Sequence, residues 1–401
     1  MKHLIIKNIG SISALDIELG KLNVFIGPQG SGKSTIIKVI SFCSWIEKKL
    51  SLNETYKERF EQESAFANEL VRFHKLDGYL SEDSYIEYET DVIKITYFHA
   101  VKVPIFEWKD HALFKKPKIS YTPSERNIVA AIPNFMELKI QDNYIRNLIV
   151  DWVEARQMYS NNTPLTLPFL DGQFYMDEAG DKIVIGGRAF DFTNTSSGVQ
   201  SSVPLYVLVD YFTNWQYNNK ISENIKELES NKKLELKLLM KYGEKLFSDG
   251  NLDKLNENFN KIITIQQNYT AIQYTSLFIE EPEQNLFPKT QRDLVYQLVK
   301  TINSNPDHTL TLTTHSPYIL SSINNLIYAS QVSNDDNSEA VAAIIPQESH
   351  IGYAKVQAFY VDNGKAESIM DSSVRQIKAE RIDEISQVLN DEYDQLLALE
   401  D

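Results

Sequence analysis

A single cysteine, Cys43, stands in 401 residues, so no disulfide can close within the chain, and a reducing compartment fits. Glycine (15) and proline (13) together make roughly 7 % of the residues, where about 12 % is usual. That excludes collagen-like and low-complexity chains, and it makes any local glycine cluster informative. Long apolar runs are missing too. The longest near-apolar stretch, Val203–Val209, falls well short of the ~20 residues of a membrane span. No secretory signal opens the sequence, because Lys7 and Asn8 interrupt Leu4-Ile5-Ile6 too early for an apolar signal core. Positive charge is in deficit: 40 Lys and Arg against 55 Asp and Glu leave a net charge of −15. A chain that coats nucleic acid wants the opposite balance. The expectation is a cytoplasmic protein with no membrane contact.

What is present is ordinary globular material. Hydrophobic residues make 42 % and charged residues 24 %, enough for a substantial core. At about 100–200 residues per domain, the length allows one large domain or a few smaller ones. Leu4–Ile6 and Lys21–Ile26 read as strands separated by turns at Gly10 and Gly20. Thr35–Lys49 reads as a mostly buried helix and Glu54–His74 as a more polar one. Tyr85–Phe98 alternates like a strand pair, Ile119–Tyr121 is a short strand, and Arg146–Met158 is helical. Gly172–Phe192 reads as two or three strands. Ile221–Gln266 reads as charged helices interrupted near Asp249-Gly250. Thr275–Ile279 and Thr309–Thr313 are apolar or β-branched strands on either side of an amphipathic helix at Gln291–Ile302. Val356–Met370 reads as a hairpin turning at Asp362-Asn363-Gly364. From Val374 to Leu399 the apolar spacing is helical.

The scarce glycines gather at one place. Gly27-Pro28-Gln29-Gly30-Ser31-Gly32-Lys33-Ser34 fits G-x-x-x-x-G-K-[ST] at every fixed position, and Thr35 follows. A strand precedes it and a helix follows, which is the context a phosphate-binding loop needs. Glycines let backbone N–H groups turn inward around phosphates, aided by the positive end of the helix. Lys33 would neutralise phosphate oxygens and the Ser34 hydroxyl would ligate Mg²⁺. These residues call for ATP and Mg²⁺.

Two further segments gain meaning from that loop. Glu280 and Glu281 end the apolar strand before Pro282 and Glu283. In isolation they are an acidic turn; facing a nucleotide, Glu280 would order the Mg²⁺ shell and Glu281 would be the general base for water. His315 closes the β-branched strand Thr309–Thr313, where it could reach a γ-phosphate. No histidine has zinc-ligand spacing, so no zinc site is expected. The third segment, Thr195–Ser202, sets hydroxyls and Gly198 before the apolar helix Val203–Tyr211. It reads either as a helix cap or as an anion site, and Pro204 places the helix start near Ser201.

In order and spacing, these elements resemble the ABC-type ATPase heads of the SMC, RecF and OLD class, and most of all the small bacterial AAA-family ATP-binding proteins with an OLD-type head. The resemblance runs over nearly the whole chain. It is carried by Gly27–Ser34, by Tyr121-Thr122-Pro123-Ser124-Glu125-Arg126, by Ser196–Gln200, by Glu280–Glu283 with Leu286 and Pro288, and by Thr314–Leu320. It implies an α/β P-loop NTPase with a mixed central sheet, a β-rich N-terminal lobe and a helical lobe. Residues 1–50 and 265–370 would form the nucleotide-binding core, 51–264 an insertion, and 371–401 a C-terminal helix. It also implies that two heads sandwich two ATP molecules as a homodimer, with Ser196, Ser197 and Gly198 of one subunit completing the other's site. Ser197 replaces a commoner glycine. No glutamine stands in Tyr121–Arg126, so the metal-sensing role of that loop is not carried over. Ile221–Gln266 is too short for an SMC arm, and nothing after His315 supplies the paired-Asp metal site of an OLD nuclease. Two functions follow: an ATP-driven dimer switch controlling an effector protein encoded nearby, as in phage defence, or a RecF-like ATPase acting on duplex DNA in repair. The charge favours the first.

Overall fold

Alternating burial builds the first ribbon. Ile12, Leu15, Ile17 and Leu19 point into the core while Asp16 and Glu18 face out, so residues 12–19 pair with the opening strand. The structure is a computed structural model that describes residues 2–53, 55–132, 139–219, 231–232, 234–236, 238–240, 255–378 and 384–399. Its strands are β1 (Lys2–Ile9), β2 (Ile12–Leu19), β3 (Leu22–Ile26), β4 (Leu80–Glu89), β5 (Ile93–Phe98), β6 (Ile105–Trp108), β7 (Pro117–Thr122), β8 (Leu165–Leu167), β9 (Gly172–Asp177), β10 (Gly180–Ile185), β11 (Arg188–Asp191), β12 (Tyr274–Glu280), β13 (Thr309–Thr314), β14 (Val356–Asp362) and β15 (Lys365–Ser368). The helices that matter are α1 (Lys33–Leu52), α2 (Thr55–Phe60), α3 (Ala65–His74), α4 (Tyr144–Arg156), α5 (Ser197–Asp210), α6 (Leu255–Thr270), α7 (Pro288–Asn303), α8 (Pro317–Val332) and α9 (Glu384–Leu397).

Eleven strands form one mixed sheet in the order β6-β5-β4-β1-β2-β15-β14-β3-β13-β12-β7. From β14 to β7 every pairing is parallel. β3 is buried along its whole length, and β12 and β13 are buried in all but their first residue. This is the pattern of strands covered on both faces. From β6 to β2 the pairing is antiparallel, and β8–β11 make a separate four-stranded antiparallel sheet. α1 packs against β7, β12 and β13, and α7 packs against α8.

Several elements depart from the sequence reading. β2 was absent from it, although its alternation is plain once paired. The helix expected over 54–74 is two, α2 and α3, parted at a left-handed Ser64 (φ 63°). α5 begins at Ser197 rather than near Ser201, so Pro204 lies two turns inside it. Its missing N–H leaves the Gln200 carbonyl without a helical partner, and burial of Val203, Leu205, Val207 and Val209 carries the helix through. Of the C-terminal stretch expected to be helical, Glu384–Leu397 is a helix, and Gln376–Ile377 instead pairs with Met370–Asp371 as a short hairpin. The interruption expected near Asp249-Gly250 lies outside the described residues. No helix among the described residues is long and apolar enough to cross a membrane.

Candidate functional site

Register fixes the site. Ile26 pairs with Thr314, Phe25 with Thr313, and Thr313 with Glu280. β3, β13 and β12 therefore end level with one another. The segments that leave them (Gly27–Ser34, His315-Ser316 and Glu281–Gln284) emerge side by side at the carboxyl edge of a parallel sheet, where open α/β folds bind ligands.

Gly27 is buried against β14, where any side chain would run into the Val361 carbonyl. Pro28, Gln29 and Gly30 are exposed, and Gly32 (φ 105°) leads into α1. Lys33 Nζ donates to the carbonyl oxygens of Gly27 at 2.8 Å and Pro28 at 2.7 Å, folding over the loop. Burial pulls its pKa down to about 8, against the opposing pull of Glu281 and Glu283. The Ser31 hydroxyl is buried with no hydrogen-bond partner. Ser34 is half-buried in the first turn of α1, and Thr35 is buried.

At the end of β12, Glu280 is buried and its Oε1 accepts from the Tyr121 hydroxyl at 2.5 Å. Glu281 takes a left-handed conformation (φ 44°), and its N–H donates to the Thr313 carbonyl at 2.9 Å. That twist swings its carboxylate to 3.5 Å from His315 Nε2, with both side chains 34 % exposed. Sequence reasoning assigned nothing to Glu283. Its Oε1 accepts from Thr314 Oγ1 at 2.8 Å and from the His315 N–H at 2.7 Å, which holds the histidine backbone beside Glu281. Burial pushes the Glu283 pKa up.

Arg126 is the other residue whose task the sequence did not disclose. It is fully buried, and it donates to the carbonyls of Glu280 and Glu281, both at 2.7 Å, and of Ser201 at 2.8 Å. One guanidinium thus bolts the acidic strand end to α5. Ser196 sits at the N-cap of α5, but its side chain makes no capping bond. Gly198 lies against the turn after β12; a Cβ there would sit 2.6 Å from the Asn285 carbonyl oxygen. Asn285 Nδ2 also donates to Ser201 Oγ at 3.2 Å. Among the described residues, no hydrogen bond joins 196–202 to the loop 27–34. The structure brings Lys33, Glu280, Glu281 and His315 to one edge and sets Ser196, Ser197 and Gly198 at the start of α5, with Gly198 against the turn that follows β12.

Oxygen donors dominate this edge. Glu280 commits only Oε1 to Tyr121, and the Ser34 hydroxyl lies on the adjoining turn. A carboxylate and a hydroxyl suit Mg²⁺ better than a softer metal. Away from the site, His3, Glu87 and Glu89 bring their ligand atoms within 4.8 Å of one another. Lys94 lies 3.0 Å from Glu87, and His3 pairs with Asp16 at 2.7 Å, so these charges are matched within the protein.

Against known families, the AAA domain profile matches residues 3–396. No curated protein matches the sequence. Among solved structures, the chain is similar to MJ1267, an ATP-binding cassette of an ABC transporter, with 13 % identity over 95 % of this chain and 94 % of that one (TM-score 0.30). It is similar also to the recombination mediator protein RecF, with 10 % identity over 92 % of this chain and 97 % of that one (TM-score 0.29).

Proposed function

The chain belongs to the AAA domain family, and on that premise we propose that it binds and hydrolyses Mg-ATP at the joint edge of β3, β13 and β12. The level ends of these strands carry the reading, because they bring Lys33, Glu280, Glu281 and His315 to one edge of the sheet, with Glu281 and His315 3.5 Å apart. Backbone N–H groups of Gly27–Ser34 and the Lys33 ammonium hold the phosphates, and Thr35 continues the turn behind them. Ser34 and Glu280 hold Mg²⁺, which supplies charge neutralisation on the phosphate oxygens. Glu281 takes a proton from the attacking water, so that ATP and water give ADP and phosphate. His315, held through Glu283, contacts the γ-phosphate and the Glu281 carboxylate.

Ser196, Ser197 and Gly198 serve a second copy of the chain. Their helix N-terminus is positioned by Arg126 and Asn285 and stays unspent within its own subunit, which suits contact with the partner's γ-phosphate. ATP then closes a homodimer, and hydrolysis opens it. The output is control of an effector protein, with phage defence as the setting. The net charge of −15 weighs against duplex DNA as the principal partner.

The test is Glu281→Gln. Glutamine keeps the shape but cannot accept the proton, so turnover should fall roughly 10²–10⁴-fold while affinity survives. The stalled enzyme should accumulate as an ATP-dependent dimer by light scattering, and adding Ser196→Arg should abolish that dimer. Wild-type turnover in Glu281→Gln removes the base assignment. An ATP-dependent dimer that survives Ser196→Arg makes Ser196–Gly198 a structural helix start.

A further inference from the structure

Phe287 is the most exposed phenylalanine, tyrosine or tryptophan among the described residues, at 75 %. It stands at the N-cap of α7, where serine, threonine, aspartate and asparagine are favoured, and its side chain caps nothing. The ring therefore serves neither the helix nor the core. Tyr318, in the first turn of α8, is 51 % exposed. Both aromatics stand by the nucleotide edge. Phe287 follows the turn that begins at Glu281, and Tyr318 follows His315 by three residues. Ser316 Oγ donates to Gln291 Oε1 at 2.5 Å, which ties the first turns of α7 and α8 to each other.

The segments that meet here carry no charge. No Asp, Glu, Lys or Arg occurs in 192–209, 284–288 or 308–334, although such residues make 24 % of the chain. Ser196, Ser197 and Asn285 are exposed along with the two aromatics. Gly198 packs against Asn285, so the start of α5 and the turn that carries Phe287 form one surface. Two copies with a net charge of −15 repel each other, and they can approach most readily where neither presents a carboxylate. An uncharged surface with exposed aromatics has the composition of the core of a protein contact.

We propose that Phe287 and Tyr318 are the apolar anchors of the contact between two copies of this chain, with the uncharged start of α5 beside them. This rests on the ATP-driven homodimer proposed above and names the groups that hold it together. Phe287 continues the turn of Glu281, and Tyr318 continues the segment of His315. A nucleotide that holds Glu281 and His315 therefore also sets the spacing of the two anchors.

The test uses the full chain as Glu281→Gln with saturating Mg-ATP. Sedimentation velocity gives the dimer dissociation constant, and the anisotropy of a fluorescent ATP gives the affinity of dilute, monomeric protein. Phe287→Ser and Tyr318→Ser should each weaken the dimer roughly 30-fold or more, as the loss of an interface anchor does. Both should melt as the parent does and keep ATP affinity within about twofold. Raising NaCl from about 50 to about 500 mM should tighten the parent dimer, because salt screens the repulsion between the copies. Dimers of parental strength in both variants overturn the proposal. So does a parent dimer that weakens with salt, which marks a contact made of ion pairs. ATP affinity that falls along with association also overturns it, because the aromatics then belong to their own subunit's nucleotide site. A Glu281→Gln chain that binds ATP and stays monomeric fails the homodimer itself, and the anchors with it. A dimer that survives both substitutions removes the anchors and leaves the homodimer standing.

Discussion

The Gly27–Ser34 loop and the Ser196–Gly198 segment both place small residues at the start of a helix, yet they are held in different ways. Gly27–Ser34 is braced from within. Its lysine bonds back to two of its own carbonyls, and its first glycine packs on the neighbouring strand. Ser196–Gly198 is braced from outside, by Arg126 and by the Asn285 turn, and the Ser196 hydroxyl caps nothing in α5. The first segment carries its charge, its geometry and its helix within a few consecutive residues. The second borrows its position from Arg126 and Asn285, which bond to Ser201 from 75 and 84 places away. A segment of the first kind works wherever its strand ends; one of the second kind moves whenever the strand end moves.

Breaking the bolt should have the largest effect. Arg126→Met keeps the length of the side chain but removes its hydrogen bonds to the carbonyls of Ser201, Glu280 and Glu281, the last of which keeps the Gln284 N–H at 3.1 Å. A hydrogen bond from a charged donor contributes about 1.5–3 kcal/mol, so a total loss of roughly 3–5 kcal/mol is expected. Urea unfolding measures it. A loss under about 1 kcal/mol would mean that α5 and the strand end stand independently, and the contrast between the two segments would lapse.

That contrast also explains what could be read from the sequence. The loop, the carboxylates at 280 and 281, and His315 were legible because each follows an apolar strand at short range. β1, β3, β12 and β13 were legible for the same reason. β2 went unread because Ser13 and Ala14 blur its alternation before Leu15, and only pairing with β1 makes the pattern plain. Arg126 and Glu283 could be quoted as letters of a motif but not understood. Their partners are backbone groups from other elements, and backbone carries no sequence signal. Pro204 misled for a related reason. Local propensity places proline in a first turn, whereas burial on neighbouring elements extended α5 past it in both directions.

A smaller effect should follow from pressing on the same joint without removing it. Gly198→Ala puts a methyl group 2.6 Å from the Asn285 carbonyl oxygen. Overpacking of this kind costs about 1–3 kcal/mol. The strain falls on the start of α5, so ATP affinity of the single chain should hold within about twofold while ATP-dependent association weakens about tenfold or more. Calorimetry and light scattering on the Glu281→Gln background separate the two. If both readouts fall together, the segment is not external to its own nucleotide site, and the two modes of bracing merge.

The smallest effect concerns the loop alone, and it comes from pH. Lys33 titrates near pH 8 in the folded chain, below its ordinary value of 10.5, because burial disfavours the cation. Between those two values the unfolded chain holds a proton that the folded chain has lost. The group's contribution to stability therefore rises with pH from about 8 to about 10.5, the reverse of an ion-paired lysine. Binding runs the other way. Phosphate requires the cation, so affinity for Mg-ATP should be steady below pH 7 and fall as pH climbs through 8. Only about one loop in ten would still be charged at pH 9, and affinity should then be roughly tenfold lower than at pH 7. Lys33→Ala should bind weakly at both values and show no such slope. Ser196, Ser197 and Gly198 have no side chain that ionises in this range, so association at saturating Mg-ATP should stay flat from pH 7 to 9. A flat affinity profile in the wild type would mean that Lys33 is not the group that neutralises the phosphates. A slope that persists at saturation would place a titrating group in the dimer contact itself.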